Sequence, residues 1–513
     1  MHRISSVRRR PIRQRGTFFV MTQRTLLLSI ALLGVANRAS AQASAAVLDS
    51  VARQVIAREH VVGASVLVAR HGTVILHRGY GLADLEVGAA AKDETVYHVV
   101  GPMLPFTGIA VLQQVERGRL SLDDDIGRYV PEFPMQGHKV TIRQLLNHTS
   151  GIVDYHYLGD PIEATSRQPK ALDEVMALYA GKDWVNQPGA KWDWSISGFS
   201  LLVMIVERVT GQSFADYVRD QILTPAGVHS TTYCDEEAVV SGLAHAYRKR
   251  GHGYAPANET DMAYNADLRF CSTVGDLYLL WTAIHDKQLI RSKTWAEMTT
   301  AAGAAAHMSP TDPLAQYGLA VTINHEDDHR RIGQHGSLLG YSGSLYDFPA
   351  DGLTVVVLTN TEDQNAYAIT RAVARAALAL PELPAQDLTP EGVLADVPVD
   401  SAARRRLSGT FVLKLDRLTP GLHDSFAQYR RTYRVFDENG RLMIEALGES
   451  PQRLLKQTDG SFAMRSAPID HITFVVSGGQ VTGMRMDPST YGVPLSGDRI
   501  GDGDPHTFHN QLH

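Results

Sequence analysis

An α+β fold is predicted for this chain by three observations. Strand-like apolar runs stand near both ends of its first 380 residues, helical spacing fills the stretch between them, and a second set of short strands follows a proline-rich break. Ser44 to His60 repeats apolar residues at helical spacing. "GASVLVARHGTVILHRGYG" (63–81) then alternates around His71-Gly72 and reads as a β-hairpin. Gly101 to Arg117 reads as a helix with Pro102 in its first turn, Pro105 early enough to be tolerated, and Gly118 just past its end. "TIRQLLNHTSG" (141–151) is a short helix ending in turn chemistry. Phe199 to Val209 is a longer apolar helix closed by Thr210-Gly211.

Strands return at "YGLAVTIN", "RRIGQHGS", "SGSLYDFP" and "LTVVVLTN", and Ala366 to Leu380 follows as an Ala-rich helix. Strands at both ends predict one sheet that joins distant parts of the chain across residues 44–380. Residues 381–399 hold Pro381, Pro384, Pro390 and Pro398 with little periodicity and read as a linker. Short strands separated by turns such as Asn439-Gly440 and Gly478-Gly479 then predict a small C-terminal antiparallel β domain over 400–500, with a loose polar tail at 501–513. No internal repeat appears at solenoid periods.

Composition narrows the function. The chain has 513 residues, 44% of them hydrophobic, enough for a large core and a second domain. Residues 1–41 hold eight Arg and no acid, then the apolar run "LLLSIALLGV" and a small-residue "ASA", the order of a secretory signal peptide too short to span a bilayer. Met21 is a natural start for it. An exported protein, periplasmic or secreted, is therefore expected, with no integral membrane span once the signal is removed. The remainder is strongly acidic, which argues against nucleic acid or anionic membrane as partner. Export would permit Cys234 and Cys271 to pair, but two cysteines make no disulfide framework, and two separate buried thiols are the expectation.

No cofactor or metal is expected. "HEDDH" (325–329) matches a zinc pattern that needs both histidines on one helix face, but it joins two strand-like runs and reads as a solvated hairpin turn. No G-x-S-x-G elbow, P-loop or C-x-x-C occurs.

Seven blocks, taken in order, carry a resemblance. They are "GYGLADLE" (79–86), "PFTGIAVLQQVERGRLSLDDDIGRYVPEFP" (105–134), "TIRQLLNHTSGI", "QPGAKWDWSISGFSLLVMIVERVTGQSFADYV" (187–218), "TPAGV" (224–228), "CSTVGDL" (271–277) and "GQHGSLLGYSGSLYDFP" (333–349). Together they resemble the serine β-lactamase and penicillin-binding-protein family, in its class C and esterase-like branch. The resemblance implies a sheet flanked by helices, an inserted helical subdomain, a cleft between them, and a bacterial exported protein.

It also implies three site motifs. A serine opens the central helix with a lysine one turn on, a Y-x-N motif faces them, and a K-T-G or H-x-G strand forms the far wall. Flanking residues map the serine to Gly101, the lysine to Leu104, the tyrosine to Trp194, the asparagine to Ile196, and the third motif to Gln334-His335-Gly336. Glycine has nothing to acylate and leucine no group to act as base. No S-x-x-K stands elsewhere, so loss of serine acyl transfer is expected, at a cost on the order of a millionfold in turnover.

By the same resemblance the backbone N–H groups of Gly101 and Ser337 would form the oxyanion hole, beside a floor of Trp194, Ile196 and Leu104. That arrangement is either an open ligand cleft or one that has closed. His335 is the remaining candidate for acid–base chemistry, with Ser337 or Ser195 as partner, although strand alternation favours a ring turned away from the cleft. Tyr97, Trp192 and Phe199 are expected to pack the core, and Asn147 and His148 to belong to a structural turn.

The expectation is an inactive relative that binds a small-molecule or peptide ligand, cell-wall derived by analogy. The alternative is an active hydrolase, esterase or lyase using His335 or an unidentified nucleophile. Oligomeric state is not legible.

Overall fold

The computed structural model describes residues 43–501 apart from 156–170, 235–238, 251–252, 258–269, 287, 309–313, 339, 363–364, 383–396, 416–429, 447–451, 465–470 and 488–494. The expected signal peptide, most of the expected linker and most of the expected tail therefore lie outside the described residues.

The first helix, α1 (Ala45–Arg58), starts at Ser44, whose side chain accepts the Val47 N–H. Strands β1 (Gly63–Arg70) and β2 (Thr73–Asp84) follow, joined at His71 and Gly72, both with positive φ as a tight two-residue hairpin turn requires. With β3 (Ala89–Ala90), β9 (Gln316–Tyr317), β10 (Thr322–Glu326), β11 (His329–Leu338), β12 (Tyr341–Phe348) and β13 (Leu353–Thr359) they form one eight-stranded sheet, ordered β3-β2-β1-β13-β12-β11-β10-β9. The β1–β13 pairing, Ala64 opposite Thr359 through Arg70 opposite Leu353, joins the two ends of the domain as expected.

Both faces of this sheet are covered. Val66, Val68, Val355 and Val357 meet α1 and α10 (Asn365–Ala377). Leu67, Val356 and Leu358 meet the larger core, which holds α2 (Leu104–Glu116), α3 (Ile142–Leu146), α4 (Leu172–Tyr179), α5 (Ile196–Thr210), α6 (Phe214–Val218) and α8 (Val274–Asp286). The short α7 (Thr224–Ala226) and α9 (Ser292–Met298) are the remaining α-helices of this part among the described residues. Among the described residues no helix is long and apolar enough to cross a membrane.

The small sheet β4 (Tyr97–His98), β8 (Phe270–Ser272), β5 (Thr232–Tyr233) corrects the expectation of separate thiols. Thr232 opposes Cys271 in its register, so Cys234, just past the end of β5, comes within a Cα–Cα distance of 5.7 Å and is bonded to Cys271. A further hairpin, β6 (Tyr247–Arg250) with β7 (Gly253–Pro256), forms its own two-stranded sheet and is tied at Tyr247 to the chain just after β13.

The "HEDDH" segment is a hairpin turn between β10 and β11, but it is not wholly solvated. Glu326 is buried and receives Arg371 at 2.8 and 2.9 Å and Arg375 at 2.7 Å, both from α10, while His329 turns to Asp351 at 2.9 Å. Beyond the linker, α11 (Ser401–Leu407) precedes eight antiparallel strands: β14 (Gly409–Leu415), β15 (Arg430–Glu438), β16 (Arg441–Ala446), β17 (Gln452–Lys456), β18 (Phe462–Met464), β19 (His471–Ser477), β20 (Gln480–Asp487) and β21 (Leu495–Gly501). Pairing of β14 with β21 closes them into a barrel around Phe411, Leu413, Val435, Ile444 and Met484.

Candidate functional site

The expected helix start is where the structure departs most from the sequence expectation. Helix α2 begins at Leu104, not Gly101, with Pro105 in its first turn. Gly101 has φ +88°, a left-handed conformation that cannot continue a right-handed helix, and its carbonyl accepts the Leu104 N–H at 3.0 Å to close a turn. No helix N-terminus points out from position 101.

The reason is the surface beneath it. Gly336 on β11 and Gly343 on β12 stand directly opposite each other in the sheet, a flat patch without side chains. The corner Val100–Pro102 sits on that patch: a Cβ on Gly343 would come 2.7 Å from the Val100 carbonyl oxygen, and one on Gly336 3.1 Å from the Gly101 nitrogen. Conversely, a Cβ on Gly101 would come 2.3 Å from the His335 carbonyl carbon and 2.5 Å from the Gly336 nitrogen. Backbone fills the space that a nucleophilic side chain would need. Gly101 and Gly336, expected to line a ligand cleft, touch each other instead.

Leu104 and Ile196 were expected as the cleft floor, and the structure corrects this too: at 1% and 2% exposure they belong to the main core. Apolar side chains at these positions have the interior as the place where they are most stable. Trp194 is placed differently. It remains partly exposed, immediately before Ser195, which caps α5 through a bond from the Gly198 N–H. Its ring stacks on His148, centroids 4.2 Å apart, and Phe199 stacks on the same imidazole at 5.0 Å.

Tyr317 and Trp192 meet that imidazole edge-on, so five rings form one wall. His148 has φ +55° in its turn, as the turn assignment requires, and its Nδ1 accepts the Ser195 N–H at 3.1 Å. Burial pulls its pKa down to about 3, so the ring is a neutral packing group.

Strand alternation separates the third motif. Gln334 faces the aromatic wall: its amide donates to the Tyr317 hydroxyl at 2.7 Å and accepts from the Thr322 hydroxyl at 3.0 Å. His335 emerges on the other face of the sheet, under α10. There its Nδ1 meets the Tyr346 hydroxyl at 2.7 Å and its ring packs on Tyr367, centroids 4.3 Å apart. Burial, then the nearby Arg331 charge, pull its pKa down to about 3. The His335 ring is therefore turned away from the cleft, as strand alternation favours, and away from Ser195 at the start of α5. Ser337 shares that face, and its hydroxyl bonds to the Tyr341 carbonyl at 3.3 Å. Tyr317 was not singled out from sequence. The nearest signal was its place at the start of the strand-like "YGLAVTIN".

Comparison with known proteins fits this geometry to a family. The β-lactamase family model matches residues 48–380. The chain belongs to the β-lactamase family. Penicillin-binding protein 4* of Bacillus subtilis is 25% identical over 440 residues, covering 81% of this chain and 91% of that protein. Protein flp of Staphylococcus aureus is 32% identical over 190 residues, 36% of this chain and 38% of that one. The octameric penicillin-binding protein homologue from Pyrococcus abyssi superposes with a TM-score of 0.60 at 21% identity, over 88% of this chain and 99% of that chain. A D-stereospecific amidohydrolase from Streptomyces sp. gives 0.54 at 22% identity, over 64% and 98%. These two structural likenesses establish the fold.

Within this β-lactamase-family scaffold one titratable group beside the aromatic wall is strongly perturbed. Asp193 lies between Trp192 and Trp194, accepts from Asn186 at 3.0 Å, and anchors through its N–H to the His148 carbonyl at 2.8 Å. Burial, then the Asp154 carboxylate, push its pKa up to about 7, against the Asn186 bond and the Lys191 charge. Asp154 itself accepts the Ile196 N–H at 2.8 Å.

An unfolded aspartate titrates near 3.9, so between about pH 4 and 7 the folded chain holds a proton that the unfolded chain releases, and this site loses stability as pH rises. The penalty is complete above about pH 7 and absent below about pH 4. Asp193→Asn should thus gain about 2 kcal/mol over wild type at pH 8 and little at pH 4, measured by urea unfolding at the two pH values. An equal difference at both would remove the carboxyl from this account.

Proposed function

We propose that this chain is an exported β-lactamase-family protein that no longer carries out serine acyl transfer and binds a peptide or acyl ligand along the aromatic wall of the residual cleft. The observation that carries this reading is the seating of Gly101 on the Gly336–Gly343 patch, where no side chain fits. With leucine at the lysine position and the amide of Gln334 bonded to Tyr317 and Thr322, the site offers neither a hydroxyl to acylate nor an amine to activate it. An enzyme working through His335 is disfavoured by that ring's place under α10. Export rests on the charge and apolar order of residues 1–41.

Ligand chemistry comes by analogy with the relatives, one named for penicillin binding and one for D-stereospecific amide hydrolysis. Trp192 and Trp194 retain partial exposure and supply flat apolar surface for such a ligand. The test is titration with an acyl-D-Ala-D-Ala peptide, followed by tryptophan fluorescence. Saturable quenching that Trp194→Ala abolishes, with no turnover of chromogenic esters, is expected. Absence of saturation removes the binding role, and ester turnover restores the enzyme reading.

A further inference from the structure

At the opposite end of α2 from Gly101, about 20 Å along the helix axis, the last turn opens onto a polar cavity of about 470 Å3. That volume lies within the range of about 300–1,000 Å3 common to small-molecule sites. We propose that this cavity is a second binding site, for a small organic carboxylate that also carries an amide.

Three elements meet there: the end of α2, the turn Arg219–Leu223 after α6, and the loop entering α9. Arg117 is held in place from two sides. Its Nη1 donates to the Tyr217 hydroxyl at 2.7 Å and its Nη2 to Gln221 Oε1 at 2.7 Å, and its guanidinium lies 5.7 Å from the centre of the Tyr217 ring. The Tyr217 hydroxyl is itself fixed, since it donates to Gln113 Oε1 at 2.6 Å and accepts from Gln114 at 2.5 Å. These bonds occupy two of the five N–H donors of an arginine. Among the described residues Arg117 has no carboxylate partner.

Glu116 does not fill that role. It takes the Arg291 backbone N–H at 2.7 Å, the Thr294 hydroxyl, and Arg291 Nε at 3.4 Å. Arg117 and Arg291 together therefore outweigh Glu116 at the mouth of the cavity, and the complement to a rigid, unmatched guanidinium is a planar anion, with carboxylate the geometric fit. Gln221 and Gln288 present amides, which can both donate to and accept from an amide on the ligand.

Two backbone features mark the cavity as built. Arg219–Leu223 is a π-helical turn, a rare conformation concentrated at functional sites, and it is what presents Gln221. Gln288 has φ +49°, a conformation costly for a residue other than glycine and concentrated at ligand clamps.

The test uses the full chain, with N-acetylglycine and its uncharged counterpart N-acetylglycinamide as probes in calorimetric or NMR titration. N-acetylglycine is expected to bind saturably with Kd in about the millimolar range, and the amide about tenfold more weakly. Arg117→Gln and Arg291→Gln should each weaken the carboxylate about fivefold or more, while Trp194→Ala leaves it unchanged. Rising salt should weaken it in parallel. Equal affinity for both probes, or full affinity in folded Arg117→Gln and Arg291→Gln, overturns the proposal.

Discussion

Gly101→Ser is expected to lower stability by about 2–5 kcal/mol and to create no reactive serine. Two costs combine. At φ +88° an L-residue crowds its own backbone, worth about 1–2 kcal/mol. The new Cβ would also stand 2.3 Å from the His335 carbonyl carbon, and because the neighbour is strand backbone rather than a flexible side-chain tip, relief requires β11 to move; overpacking of that kind costs about 1–3 kcal/mol or more. Gly101→Ala should lose nearly as much, since the Cβ and not the hydroxyl is at fault. Urea unfolding of both variants checks this, and a loss under about 1 kcal/mol in either would mean that the corner does not rest on the sheet as described.

Glu326→Gln is expected to cost about 3–5 kcal/mol. The carboxylate is 1% exposed and accepts from Arg371 and Arg375, with Arg331 at 3.9 Å. Arg331 is itself buried, its guanidinium 4.8 and 5.1 Å from the ring centres of Tyr346 and Tyr367. Hydrogen bonds and guanidinium charges hold the Glu326 carboxyl below the ordinary range despite burial, which acts the other way. The isosteric amide keeps the volume but removes the buried negative charge that Arg371, Arg375 and Arg331 surround, while half-exposed Asp327 bonds Arg375 at 2.9 Å. Truncating one partner of a buried charge cluster costs more than the cluster contributes, because the remaining charges stay desolvated. Thermal or urea unfolding reads the loss, and Asp327→Asn should lose much less.

The parts of the fold that were legible in sequence are those set by local chemistry. The His71-Gly72 hairpin, the Ser44-capped helix and the turn-rich C-terminal strands needed only turn residues and periodicity. Closure of the barrel was not legible. It depends on β14 meeting β21, and "LSGDRIG" carries little apolar pattern of its own. The disulfide likewise depends on the β5–β8 register, which neither short strand announces.

At the site, the family positions are assigned to 101, 104, 194, 196 and 334 from flanking motifs, but the surroundings of these residues were not legible. Alternation along β11 predicts the side that His335 takes, but nothing in the sequence shows that Tyr346 and Tyr367 enclose the ring there. Nor does composition show that Gly101, Gly336 and Gly343 are spaced to lie against one another, since two of them pair only through the β11–β12 register. Glu326 looked solvated among Asp327 and Asp328, because its three arginines stand 5 to 49 residues away.

The proposed loss of the acylation site is tested most directly by intact-mass spectrometry of the purified chain after exposure to a fluorescent penicillin and to a fluorophosphonate. Unmodified mass is expected with both reagents, for wild type and for a Gly101→Ser/Leu104→Lys double variant. A single covalent adduct on the wild-type chain would show a reactive hydroxyl that this account places nowhere, and would contradict it.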